Sequence, residues 1–135
     1  MRIVLDTNVL LISIPEKSKY YPIFHALTMG KIDLLINQEI YLEYLEILEL
    51  RGNPFSINLF NKFILEGPNI HLIDSHYQWN LIPGDPDDNK FSDCAINGNA
   101  DYLVTNDAHF NVLKSISFPM VNVLNADSFL KQIEQ

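Results

Sequence analysis

The residues with the clearest chemical potential in this chain are acids placed where strands should end. The run Ile3-Val4-Leu5 stops at Asp6, with Thr7-Asn8 directly behind it, and Tyr102-Leu103-Val104 stops at Thr105-Asn106-Asp107. Each reads as a short buried strand delivering a carboxylate to the carboxyl edge of a parallel sheet, where open α/β sheets bind ligands. Two such acids side by side make a divalent cation the natural third party. A third acid is offered by Asp85-Pro86-Asp87-Asp88-Asn89, at the mouth of a helix leading into the Asp107 strand. Asp88 could equally be an N-cap, with Asp87 and Asn89 as rivals for that position, and spacing alone does not separate cap from site. A calcium loop of EF-hand type is excluded, because Lys90 replaces its Gly and Ile96 its bidentate Glu. The helix behind Asn37 offers Glu39, Glu43, Glu46 and Glu49 as a fourth acid. Most glutamates on such a face only solubilise it, and the pattern does not choose among them.

The elements that must hold these acids alternate along the chain. After the first strand, Val9 to Ile14 reads as a helix, and Pro15 with Glu16-Lys17-Ser18-Lys19 as a loop. Tyr21 to Met29 is a helix with Pro22 in its first turn and Gly30 behind it. Ile32 to Ile36 is a strand, and Asn37 caps a helix from Gln38 to Arg51 with an apolar stripe at Ile40, Tyr41, Tyr44, Leu45, Ile47 and Leu48. Phe55 to Glu66 is amphipathic, and Asn69 to Ile73 is a strand near the sheet edge. Asp74 to Gly84 is irregular, with Trp79 and Ile82 as packing residues. A helix from Asn89 to Asn97 turns Phe91, Cys94 and Ala95 inward, and the strand Asp101 to Thr105 follows. Asp107 to Lys114 is a short helix or turn, Met120 to Leu124 a last strand and Ala126 to Ile133 a terminal helix. This alternation predicts an α/β fold with a parallel sheet of about five strands, in a single domain spanning residues 1–135.

Composition narrows the function classes. A 47% hydrophobic and 19% charged chain of 135 residues is an ordinary globular domain, long enough for one core. Its one cysteine, Cys94, rules out an internal disulfide and argues against structural zinc. No stretch reaches the roughly 18 apolar residues of a membrane span, and no signal-peptide pattern opens the chain, so the expected location is cytoplasmic. The net charge of −8, with Lys17, Lys19, Lys31, Arg51 and Lys62 scattered, argues against gripping nucleic acid by charge alone. A polyanionic substrate would need bound cations or a second protein to supply attraction.

Four blocks carry a resemblance to a known family: Ile3-Val4-Leu5-Asp6-Thr7-Asn8, Gln38-Glu39-Ile40-Tyr41-Leu42-Glu43-Tyr44, Asp85-Pro86-Asp87-Asp88-Asn89-Lys90-Phe91 and Ala100-Asp101-Tyr102-Leu103-Val104-Thr105-Asn106-Asp107. In this order and spacing, the chain resembles the PIN-domain family, in particular the VapC-like ribonuclease toxins of toxin–antitoxin pairs. The resemblance implies a PIN-like three-layer sandwich and an acidic quartet of Asp6, Glu43, Asp88 and Asp107 as catalytic and metal-binding residues. It also implies auxiliary roles for Asp93, Asn8 and Thr105, the last steering Asp6 by a hydrogen bond. Asn37 stands where relatives often carry Ser or Thr.

Each pair of carboxylates about 4 Å apart, at an effective dielectric of about 20, repels by about 4 kcal/mol. A cation relieves this, and oxygen ligands without His or Cys suit Mg²⁺ or Mn²⁺ better than zinc. His25, His71, His76 and His109 show no metal-binding spacing and read as ordinary surface or core residues. The expected activity is metal-dependent hydrolysis of RNA phosphodiesters, with RNA as substrate, an antitoxin protein as partner and a homodimer as the assembly. Tyr20, Tyr21 and Phe24 would serve that dimer unless they pack in the core. Two alternatives stand beside this reading: a PIN fold kept as a non-catalytic binding module, and a haloacid-dehalogenase-type phosphatase. The phosphatase usually wants an Asp where Asn8 stands.

Overall fold

The computed structural model describes residues 1–74 and 77–134. Its centre is a five-stranded, all-parallel sheet of β1 (Arg2–Leu5), β2 (Asp33–Ile36), β3 (Ile70–Leu72), β4 (Tyr102–Val104) and β5 (Val123–Leu124), in the order β3-β2-β1-β4-β5. The strands are buried on both sides where they cross the middle: Ile3, Val4, Leu5, Leu34, Leu35, Leu103 and Val104 are all fully inaccessible. That is why they appear as continuous apolar runs rather than alternating ones. Burial of each such side chain contributes about 1.5–3 kcal/mol.

Helices α1 (Thr7–Ser13) and α2 (Tyr21–Thr28) join β1 to β2, and α3 (Gln38–Arg51) and α4 (Pro54–Glu66) join β2 to β3. Helix α5 (Asn89–Asn97) precedes β4, and α6 (Ala126–Ile133) closes the chain. The steps from β1 to β2 to β3 run one way across the sheet, whereas the step from β3 to β4 runs back past β1. Right-handed crossovers therefore send α1 to α4 to one face and α5 to the other, giving three layers. Helix α5 packs on β1, β2 and β4, and α6 packs on α2. Chain direction across the sheet reverses between β1 and β4, and the carboxyl ends of those strands flank the resulting crevice.

Local chemistry explains the boundaries. Asn37 accepts the Ile40 N–H at 2.8 Å and caps α3, Asn53 caps α4 through Ser56, and Asn125 caps α6 through Ser128. Gly98 ends α5 against the sheet, where a Cβ would lie 2.8 Å from Leu35 Cδ1 and 3.0 Å from Ile73 Cγ1. Several sequence expectations are adjusted. The first helix begins at Thr7, directly behind Asp6, rather than at Val9. The last strand pairs only over Val123–Leu124, because Met120 to Asn122 run irregularly into it. A 3₁₀ turn over Pro86–Asp88, read only as a turn from sequence, precedes α5, and Ala108–Ser115 is a 3₁₀ segment. Phe24 is buried in the core, and Tyr20 and Tyr21 are half-buried against it, so these aromatics are not an open apolar face. Among the described residues, no helix is long and apolar enough to cross a membrane.

Candidate active site

Asp6 follows β1 at the reversal point, and its carboxylate does not cap α1. It instead accepts the Thr105 hydroxyl at 2.7 Å, from the chain just beyond β4. The same hydroxyl oxygen accepts the Asp107 N–H at 3.0 Å, so one threonine fixes both strand-end acids. Asp107 Oδ1 in turn accepts the His109 N–H at 2.9 Å, folding the chain back over the crevice. Burial holds the Asp6 carboxyl above its usual range, against the Thr105 hydrogen bond, and the charges of Glu43 and Asp107 push the same way as burial.

The Asp85–Asn89 loop divides its work by residue. Asp85 caps the 3₁₀ turn through the Asp87 N–H at 3.2 Å. Asn89 is buried and clamps Ile82, accepting its N–H at 2.8 Å and donating to its carbonyl at 3.4 Å. Asp87 points outward and pairs with Lys90 at 3.1 Å. Asp88 is thereby left free of capping: its side chain makes no cap hydrogen bond, and its buried Oδ2 has no hydrogen-bond partner among the described residues. Burial raises its pKa to about 6, with Asp85, Asp107 and Asp6 adding to the shift and His109 opposing it.

Glu43 reaches the crevice because α3 is anchored to the end of β1. The buried Tyr44 hydroxyl donates to the Leu5 carbonyl at 2.5 Å, one residue before Asp6. Glu43 Oε2 accepts the Thr7 hydroxyl, and Oε1 meets Lys90 Nζ at 2.7 Å. Glu39 and Glu46 are exposed on the same helix, as is Glu49.

Asp6 thus links the quartet: Asp6, Asp88 and Asp107 feel one another's charge around one rim, and Glu43 acts on Asp6. Among the described residues, however, the group whose ligand atoms all fall within 4.8 Å of one another is Asp85, Asp88 and His109. His109 Nδ1 stands 3.5 Å from Asp107 Oδ1 and 3.6 Å from both Asp85 Oδ2 and Asp88 Oδ2. The expectation of an ordinary surface or core histidine is therefore corrected for His109, which overhangs the acids. His71 pairs with Asp33 at 3.1 Å and His25 lies against Tyr21, both away from the rim; His76 falls outside the described residues. Among the auxiliary residues, Thr105 makes the hydrogen bond expected of it. Asn8 is exposed on α1. Asp93 is buried and accepts the Trp79 N–H at 2.9 Å, and the acid that perturbs it is Glu39 rather than the rim acids. Its observed work is to hold the irregular 77–80 segment onto α5.

Chemically, this rim suits a hard or borderline divalent cation. Its donors are carboxylates with one imidazole, one buried carboxylate oxygen makes no hydrogen bond, and no lysine or arginine pairs with Asp6, Asp88 or Asp107 among the described residues. Sequence reasoning missed Asp85, His109 and Lys90 as members of the site. The available signal was position: His109 is two residues past Asp107, and Lys90 is two past Asp88.

A family model for the PIN domain matches residues 2–109. The chain belongs to the PIN-domain family. Solved structures with a similar fold include VapBC2 from Rickettsia felis bound to a promoter DNA fragment, at 18% identity and a TM-score of 0.60, covering 93% of this chain and 98% of that one. They also include FitAcB from Neisseria gonorrhoeae, at 16% identity and a TM-score of 0.59, covering 92% and 97%. A third is DNA-bound VapBC from Salmonella typhimurium, at 15% identity and a TM-score of 0.56, covering 93% and 98%. No curated protein sequence matches significantly. Family membership sets aside the haloacid-dehalogenase alternative.

Proposed function

We propose that this PIN-domain protein is a metal-dependent endoribonuclease, and that it acts as the toxin of a toxin–antitoxin pair. The observation that carries the reading is Asp88: a half-buried carboxylate whose buried Oδ2 makes no hydrogen bond among the described residues, its pKa raised to about 6, facing Asp6 and Asp107 at the reversal point of the sheet. Asp6, Asp88 and Asp107 would hold Mg²⁺ or Mn²⁺, with Asp85 and His109 alongside. When bound, such an ion polarises a phosphoryl oxygen and lowers the pKa of water. The chain's own residues do the rest. Thr105 fixes the direction of Asp6, and Thr7 and Lys90 fix Glu43 so that its carboxylate can orient the attacking water, whose proton passes to solvent. Water attacks the phosphorus, the phosphodiester P–O bond breaks, and the ribose oxygen leaves with a proton from solvent.

An RNA cleavage assay with Mn²⁺ tests this. Wild type should cut single-stranded RNA, and Asp6→Asn and Asp107→Asn should fall to background while keeping wild-type circular dichroism. Equal cleavage by all three proteins would assign the activity to a contaminant. The toxin reading is supported by the VapC-like sequence blocks and by the fold shared with the VapBC structures. Expression of this chain alone should arrest growth, and co-expression of a neighbouring short reading frame should restore it. Unimpaired growth on expression of active enzyme would remove the toxin role and leave the nuclease.

A further inference from the structure

We infer that Lys90 is a built-in cation of this site, occupying the position at Glu43 that a second metal ion would otherwise take, so that the protein binds one ion per chain. This rests on the metal-binding reading above and specifies it. Both Glu43 oxygens are already engaged, Oε2 by the Thr7 hydroxyl and Oε1 by Lys90 Nζ at 2.7 Å. The Lys90 side chain is only 8% exposed, so its ammonium is a fixed, desolvated charge rather than a mobile surface group. Asp87 holds it from the other side at 3.1 Å, and Asn37 Nδ2 donates to the Lys90 carbonyl at 3.2 Å, locking the first turn of α5 to the cap of α3.

The acids therefore divide into two groups. Glu43 has its counter-ion within the protein, and a divalent ion placed against it would meet the Lys90 ammonium already in contact with its carboxylate. Asp6, Asp88 and Asp107 have no lysine or arginine partner among the described residues; Asp88 Oδ2 makes no hydrogen bond there, and the nearest basic group to it is the exposed His109 imidazole at 3.6 Å. The cluster of acids without a lysine or arginine partner among the described residues therefore lies on the Asp88 side, while Lys90 serves Glu43 and the largely exposed Asp87. Lys90 is thus a positioning residue: it aims Glu43 and closes that position to metal.

The test is a count of bound Mn²⁺ per chain on the full-length protein, by equilibrium dialysis with elemental analysis and by isothermal titration. Wild type should bind one equivalent. Lys90→Met and Lys90→Gln, each checked for native circular dichroism, should bind two, and Lys90→Arg should return to one. Two equivalents in wild type would overturn the inference whether or not any variant folds. A folded Lys90→Met or Lys90→Gln that still binds one would overturn it as well. Either result leaves the nuclease reading standing, whereas a wild type that binds no Mn²⁺ would sink the metal-dependent reading and this inference together.

Discussion

At neutral pH the Asp88 carboxylate is a charge that the metal-free fold accommodates at a loss. Its pKa is about 6 in the folded chain against 3.8 for the free group, so between these values the folded state binds more protons than the unfolded one. Stability from this group is full below 3.8 and is lost as pH rises through about 6. Burial and the neighbouring charges move Asp6 in the same direction. In chelator, wild type should therefore lose stability from about pH 5 to about pH 7.5 relative to Asp88→Asn, and the variant should be the more stable protein at the upper pH. Thermal melts of both at the two pH values check this; parallel melts would mean that Asp88 is not strained. Thr105 makes a second prediction at this scale. Thr105→Val keeps the shape but leaves Asp6 without its hydroxyl donor, at about 1–3 kcal/mol in stability, and Thr105→Ser should restore most of it. RNA cleavage should fall in Thr105→Val and recover in Thr105→Ser. The strand-end acids Asp6 and Asp107 were legible because a buried run that stops at a carboxylate is a local signal. His109 was not, because its place over the acids depends on a turn set by Asp107, and no metal-ligand spacing betrays it.

The elements show where reading from sequence succeeds. Helix α3 was legible to its ends, since Asn37 caps it and Ile40, Tyr44 and Leu48 bury one stripe. What the stripe could not reveal was which glutamate faces the site, since that is decided by the Tyr44 hydroxyl gripping the Leu5 carbonyl. Tyr44→Phe should cost about 1–2 kcal/mol by denaturant titration, and RNA cleavage should fall with it as Glu43 loses its register. Loss of stability with full cleavage would mean that Thr7 and Lys90 hold Glu43 without help. The Asp85–Asn89 loop was ambiguous because Asp85, Asp87, Asp88 and Asn89 are all competent caps. Only the clamp of Asn89 on Ile82 and the pairing of Asp87 with Lys90 leave Asp88 over. The brevity of β5 was hidden too, because pairing with β4, not apolarity, decides where a strand begins.

At the scale of the whole molecule, the α/β class and the parallel sheet followed from alternating apolar runs and caps, whereas the order β3-β2-β1-β4-β5 is a property of long-range pairing. That order brings Asp6 and Asp107, 101 positions apart in numbering, to one crevice. The acids there raise one another's pKa, so a cation that binds only the folded chain should stabilise it, by about 2.7 kcal/mol at a hundred times its dissociation constant. Millimolar Mn²⁺ should accordingly raise the melting temperature of wild type and leave an Asp6→Asn, Asp88→Asn double variant unmoved. The most direct measurement is an anomalous difference map from crystals grown with Mn²⁺. The predicted result is a single peak touching carboxylate oxygens of Asp6, Asp88 and Asp107; a map with no peak at that rim, or with Mn²⁺ only at unrelated surface acids, would contradict the account.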